Sequence, residues 1–547
     1  MAATTPVNDP TKLSNQDSQI AQVGLAAAPI ANVNDHDVGN DDEGKGLSNY
    51  VDIEHMPVEN DPRKWSDIRK NIVLLQISFG AMVAGFAGNI QMPAVGEMQQ
   101  DLHTTSSQIS LSLSLFILVQ GGMPLLWSTI SEVKGRKIVY LSSLLISTIG
   151  AVVTAIANSI ELVIAFRVVQ AAGSSAVMSI GAATLADIYD PHERGAKMGI
   201  FYLAPLLGPS LGAIFGGVLT SAFTWRGPFY FLTILSGVVF LSFVVFFKDT
   251  FRKERSWAYR NDGEGKPSAA TSATPTLSEE PISAKSEKKQ GSRDLEKGIP
   301  PKNDVGSQVF SDVKISLTDV NPLQPLKMVI SRRYNFVMLI ASGMLFAFAF
   351  MIVYTTSRTL ERFYGYNPLK IGLVLLAYGI GGRWSDLMLT RLKSQNHGIS
   401  YPEMRLKSTI HGILVFPPCV VGFGWVCQEH LHVAVICVFL FLCGFFSIAV
   451  YTSTLAYLVD ANVGRSSTAI ALNSAFRGTF AFVALEVAVP LQDGLGDGWT
   501  YTIVAAFMAF SGFLTILTMY KGQQWRGAEV KEKEGKEEEI EKEKENS

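Results

Sequence analysis

Arg167 and Gln170 stand inside residues 162–186, an apolar stretch long enough to cross a bilayer. An Arg at the centre of a span costs about 2.5–3.5 kcal/mol on insertion scales, so a chain that keeps one there needs it for something polar. The stretch has company. About twenty apolar residues cross the hydrocarbon core. On that ruler the chain offers further spans at 71–93, 107–130, 138–157, 196–220, 227–248, 335–357, 409–427, 431–458, 468–491 and 499–520. A twelfth, at 370–382, supplies only the dozen residues IGLVLLAYGIGG before Arg383. Either that helix is thinned, or the chain has lost part of it. In lipid, backbone groups must be satisfied inside helices or closed barrels. The expected class is an all-α membrane protein, and a soluble globular reading is excluded.

Charge locates the remainder. Charged residues make up 17% of the 547 and gather at the termini and in one central block, with a net charge of -2. That balance gives no hint of nucleic-acid binding. The first seventy residues are polar and lack the basic-then-apolar pattern of a cleavable leader, so the first span is expected to act as the insertion signal. The four cysteines, Cys419, Cys427, Cys437 and Cys443, lie in or beside two late spans and read as small membrane-core residues. Placing the N-terminus in the cytoplasm makes 131–137, 187–197, 383–408 and 459–467 internal. These loops carry Lys134, Arg136, Lys137, Arg194, Lys197, Arg383, Arg391, Lys393, Arg405, Lys407 and Arg465, whereas the opposite loops hold little beyond Arg226 and Arg362. The positive-inside rule then puts both termini and the central loop in the cytoplasm.

Five parts follow: a disordered tail over 1–70, a six-helix bundle over 71–248, a linker over 249–334, a second six-helix bundle over 335–520 and a charged tail over 521–547. The linker is rich in Ser, Pro, Lys and Glu, the composition of a solvated tether. Its serines among charges also suit a phosphorylated regulatory segment. The halves echo each other. WSTISEVKGRK at 127–137 and GGRWSDLMLTRLK at 381–393 each set a small residue four positions before an acid, Ser128 before Glu132 and Gly382 before Asp386, with basic residues after. Parallel repeats of this kind are expected where two halves rock about a central site.

At WSTISEVKGRK, RVVQAAGSS (167–175), GPSLGAIFGG (208–217), VDANVGRSS (459–467) and NSAFRG (473–478), the chain resembles the major facilitator superfamily over nearly its whole membrane part. It is most similar to the fungal twelve-span drug:proton antiporter branch, with its quinidine-resistance-type transporters and citrate exporters. The resemblance implies a major facilitator fold of two six-helix bundles and a transporter in the plasma membrane, the vacuolar membrane being the alternative. It also implies a gating loop at Glu132, Gly135, Arg136 and Lys137, with Asp386, Asp460 and Arg465 as its counterparts elsewhere. The chain departs from the common pattern at Ser128, Glu132 and Val133, where the family has Gly, Asp and a basic residue. A charge latch that breaks as the halves rock is one reading of the loop; positive-inside anchoring is the other. The Gly208, Pro209 and Gly212 pattern marks exporters and antiporters in the family. Physically it offers close helix packing and a proline kink.

Arg167, Gln170 and Ser174 fall at i, i+3 and i+7 on one helix face, and Gly181 continues the stripe. Such a stripe either faces a water-filled cavity or glues helices together. Asn473 and Arg477 lie four apart on another span, with Glu486 nine residues on. Glu486 and Arg167 lie at similar depth, roughly 8 Å from the outer ends of their spans at about 1.5 Å per residue, so a pair across the cavity is one expectation. Glu486 is the only deep carboxylate found, against two arginines. A positive cavity suits anions and repels organic cations. The expected function is export of small organic carboxylates such as citrate by alternating access, in exchange for protons. The alternative is a broad-range drug:proton pump. A receptor built on the same fold is disfavoured by the polar residues in the spans. An enzyme is disfavoured because His192, beside Asp190 and Glu193, has no nucleophile or metal-ligand set around it. The partners expected are a small-molecule substrate, protons and the lipid bilayer, for a monomer with no cofactor or metal.

Overall fold

In the computed structural model the described residues are 58, 60–252, 323–379, 403–407, 409–462 and 466–545. Asp386 and Arg465, most of the linker and most of the N-terminal tail lie outside them, as do Arg383, Arg391 and Lys393. Regular structure among the described residues is helical throughout, as hydrocarbon demands of apolar segments that must satisfy their own backbone. Among the described residues, nine helices are long and apolar enough to cross a membrane.

The first half comprises α1 (Asp67–Asn89), the short α2 (Val95–Asp101), α3 (Ser106–Lys134), α4 (Arg136–Ile156), α5 (Ile160–Ile188), α6 (Pro191–Phe223) and α7 (Gly227–Phe246). The second comprises α8 (Leu323–Ile330), α9 (Arg333–Tyr364), α10 (Pro368–Leu375), α11 (Glu403–Lys407), α12 (Ile410–Gln428), α13 (Val433–Asp460) and α14 (Ser466–Glu545). Caps mark where helices begin. Thr105 and Gln108 form a reciprocal capping box at α3, and Asn367 accepts from the Lys370 N–H at α10, each satisfying donors the first turn leaves open.

Two features differ from the sequence pattern. α14 is one run of 80 residues broken only at Gly496, whose φ of 75° turns the chain, so that it has two arms, each long enough to cross. Its second arm carries the helix on through the charge run, where an unstructured tail is expected, to Glu545. Glu532 and Lys536, then Glu538 and Lys542, have the four-residue spacing that supports a helix. The short segment near 370 forms α10 and a 3-10 turn, Leu376–Gly379, and the chain that follows lies outside the described residues.

α1 packs on α6, α3 on α5, and α9 on α14, while α3 with α14 and α6 with α10 join the two halves. The helices approach closely. A Cβ on Gly208 would stand 2.7 Å from the Gly85 Cα, so α6 meets α1 backbone to backbone, and α6 runs as one helix through Gly208, Pro209 and Gly212. Between the halves, a Cβ on Gly121 would stand 2.5 Å from the Ser474 carbonyl oxygen and 2.8 Å from the Gly478 Cα. Small residues permit that approach, and dispersion between backbones is what holds helices together where lipid is as apolar as their side chains.

The end of the bundle where the chain enters α1 is called the tail end, and the end where α3 begins the far end. Hydrogen bonds between the halves lie toward the far end. Tyr354 Oη donates to the Ser106 carbonyl (2.9 Å), Ser110 Oγ to the Leu485 carbonyl (2.7 Å), and the Leu369 N–H to Ser221 Oγ (3.2 Å).

Candidate functional site: two buried arginines and a tail-end charge cluster

Arg167 sits two turns into α5, fully enclosed at 0% exposure. Its NH1 donates to the Ala87 carbonyl of α1 (2.8 Å) and to Gln170 Oε1 (2.9 Å). Its guanidinium carbon lies 4.0 Å from the Phe116 ring centroid and 5.6 Å from that of Phe229. Nε and NH2 are buried with no partner. Aromatic faces and a carbonyl stabilise the cation, yet they leave donors that an anion would complete. Gln170 is the arginine's direct partner, as the i, i+3 spacing implies. Ser174 instead bonds back to its own Ala171 carbonyl (3.3 Å). The structure packs Arg167, Gln170 and Ser174 into protein. Gly150 of α4 presses on the Gln170 backbone, and a Cβ on Gly181 would meet the Phe201 ring at 2.4 Å.

In the other half, Asn473 is fully enclosed, and neither its Oδ1 nor its Nδ2 has a partner. Arg477, one turn on, is half-buried; its guanidinium carbon lies 3.8 Å from the Phe346 centroid and 5.1 Å from that of Tyr451. Its Nε is buried and unpartnered. Glu486 accepts from Ser114 Oγ of α3, across the seam between the halves. The Arg167–Glu486 ion pair is therefore not made. Arg167 spends its bonded nitrogen on α1 and Gln170, and Glu486 takes a hydroxyl instead.

At the tail end, Arg136 anchors the loop resembling the family's gate. Gly135 takes φ 88° and presses against the Asp249 carboxylate, whose Oδ1 accepts from the Arg136 N–H (3.1 Å). The Arg136 side chain pairs with Asp187 (3.2 Å) and donates to Ser131 Oγ. Thr250 Oγ1 also donates to Asp187 (3.1 Å). Glu132, in the last turn of α3, faces Arg136 only through space, and Lys137 is half-buried beside it. The cluster thus ties α3, α4, α5 and the end of α7 within one half. Nearby, Tyr189 between α5 and α6 donates to Asn71 Oδ1 (3.4 Å), which also accepts from Lys197 (3.3 Å). Burial, then the Glu193 and Asp67 carboxylates, push the Tyr189 phenol up to about 12, keeping it a neutral donor. In the second half, Asp460 closes α13. Two residues on, Asn462 exchanges side-chain hydrogen bonds with Asn335, both at 2.8 Å.

One network escaped sequence reasoning. At the far end of the second half, Arg358 of α9 is bidentate on Asp493 (2.7 Å to each oxygen) and donates to Gln492 (2.9 Å). Gln492 and Thr359 both donate to Asp497, at 2.7 and 2.8 Å. Asp497, 5% exposed, is more deeply enclosed than the half-buried Glu486. The signal was available as Arg-x-x-x-Arg at 358–362 facing Asp493 and Asp497, but only pairing α9 with α14 reveals it.

The model of the Major Facilitator Superfamily matches residues 77–485. Quinidine resistance protein 3 of Saccharomyces cerevisiae is 25% identical, over 86% of this chain and 85% of its own length. Citrate exporter 1 of Aspergillus niger is 25% identical over 92% and 96%, and Multidrug transporter DTR1 of Candida glabrata 28% over 84% and 86%. Among solved structures, a bacterial homolog to the human lysosomal transporter Spinster, inward-facing and unoccupied, overlays with TM-score 0.57 at 12% identity, covering 84% of this chain and 99% of that one. The human organic anion transporter MFSD10 (TETRAN) overlays with TM-score 0.51 at 16% identity, over 82% and 99%. The apolar helices and the family match over 77–485 agree: this chain is a multi-pass membrane transporter belonging to the Major Facilitator Superfamily.

Proposed function

We propose that this transporter exports small organic carboxylates, with citrate as the reference substrate, by alternating access and in exchange for protons. The observation that carries the reading is Arg167, enclosed in the membrane part with Nε and NH2 unpartnered and no carboxylate bonded to it. An enclosed cation whose donors are incomplete favours an anionic visitor over an organic cation. Glu486, hydrogen-bonded across the seam to Ser114, is the group we assign to the proton; protonating it would alter a contact that only one arrangement of the halves can make. The hydrogen bonds that close the far end suit a state open toward the tail side. With Lys and Arg in the tail-side loops, that side is the cytoplasm and both termini lie there. The Arg136 cluster then acts as the rigid tail-end gate of the first half, with Glu132, Gly135 and Lys137 around it and Asp386, Asp460 and Arg465 as its counterparts. We place the protein in the plasma membrane as a monomer.

A relative named as a multidrug transporter and one named for quinidine resistance support a second reading, a broad-range drug:proton pump. The test is citrate efflux from cells expressing the chain, beside Arg167→Ala sorted to the same membrane and a growth assay on cationic drugs. Efflux that vanishes with Arg167 is expected. Drug resistance without citrate efflux selects the pump.

A further inference from the structure

Between the two arginines runs a line of phenylalanine rings. Phe116 covers Arg167 from α3, with its centroid 4.0 Å from the guanidinium carbon. Phe346 of α9 holds Arg477 in the same way at 3.8 Å, and Phe350, one turn along α9, lies 4.9 Å from Phe346 between centroids. Phe116 and Phe350 come from opposite halves and both border Gly88 of α1. A Cβ placed there would touch each ring at ordinary van der Waals distance, 3.8 Å from Phe116 and 3.9 Å from Phe350. Glycine therefore leaves room for about a methyl group between two enclosed rings, Phe350 being 8% exposed.

The accessible end of this line is Arg477. Arg477 and Phe346 are half-buried, whereas Phe116 and Arg167 are enclosed. One turn before Arg477 stands Asn473, enclosed at 0% exposure with its donor and its acceptor both idle. A buried amide with no partner is costly and calls for an explanation. A carboxyl group supplies one: an oxygen accepts from the amide and from Arg477 Nε, whose proton is also unused. The ring face holds the guanidinium carbon while leaving its N–H edge free for that oxygen.

We propose that the exported anion carries a flat apolar body, its acid group taken by Arg477 and Asn473 and its body by Phe346 and Phe350. The proposal rests on the organic-anion reading above and narrows it. A wholly hydrophilic polycarboxylate would shed its water against rings that return no hydrogen bond. An aromatic acid replaces that loss with ring stacking. Phe346 and Phe350 are thus specificity-determining residues.

The experiment uses the full-length protein purified into proteoliposomes, with phthalate (an aromatic dicarboxylate) and citrate as the labelled probes. The expected result is a kcat/KM at least about tenfold higher for phthalate than for citrate, equivalent to about 1.4 kcal/mol. Phe350→Leu, which keeps apolar bulk but removes the ring, should bring the two values together by lowering phthalate alone. Asn473→Leu should raise KM for both. Citrate transported as well as or better than phthalate by the unaltered protein would overturn the proposal and leave the anion exporter standing. A phthalate preference that Phe350→Leu and Phe346→Leu both leave unmoved would overturn the assignment to these rings. Transport of neither anion would bring down the organic-anion reading and this proposal together.

Discussion

Arg167 and Arg477 are the deep cations of the two halves, and they live differently. Arg167 is walled in by Phe116 and Phe229 and bonded to its own helix and to α1. Arg477 rests on Phe346 and Tyr451, half-exposed, next to an amide that bonds nothing. The tail ends are each tied by charge. The first half has the Arg136–Asp187 ion pair with Asp249 and Thr250 around it. The second has Arg526 on the enclosed Glu403 (2.6 Å), beside the amide pair of Asn335 and Asn462. A charge pair holds one geometry strongly and is expensive to break, whereas an amide pair exchanges partners at lower cost. The halves thus differ at their deep cations more than at their tail ends.

The largest effect is expected of Asp187→Ala. It leaves Arg136 enclosed without its carboxylate and should cost about 3–5 kcal/mol of stability, read by thermal unfolding of the detergent-solubilised protein. A loss as small as that of a surface site would mean that the ion pair does not hold the tail end of the first half. Next comes Arg167→Ala, for which we expect organic-acid efflux to fall about 100-fold, or about 2.7 kcal/mol, against about tenfold for Arg477→Gln. Equal losses would mean that the two cations do the same work. Gly121→Val, placing bulk against the Ser474 carbonyl, should cost about 1–3 kcal/mol and slow transport in the same preparation. The smallest effect is assigned to Asn462→Ala, about 1 kcal/mol by the same unfolding measurement. A cost matching that of Asp187→Ala would put the amide pair on a level with the ion pair.

The helical class and the α5 stripe were legible because each depends on spacing within one helix: Arg167 does bond Gln170 three residues on. What lies between helices was not. Arg136 was recognised as basic in a gating loop, but its partner Asp187 is 51 residues away and reaches it only because α4 and α5 pack together. Glu132, the acid nearest in sequence, faces Arg136 only through space. Depth along a helix put Arg167 and Glu486 at one level and said nothing of facing; Phe116 and Ser114, two residues apart on α3, receive them separately. The Arg358–Asp493 network was hidden for the same reason, since its two helices are joined by more than a hundred residues of chain.

Where Gly121 meets Ser474 and Gly478, α3 and α14 touch backbone to backbone, with no side chain at that point to swing aside. Nothing the size of an organic acid fits between the two backbones there. At that depth the seam is a closed wall, made by a glycine on each side.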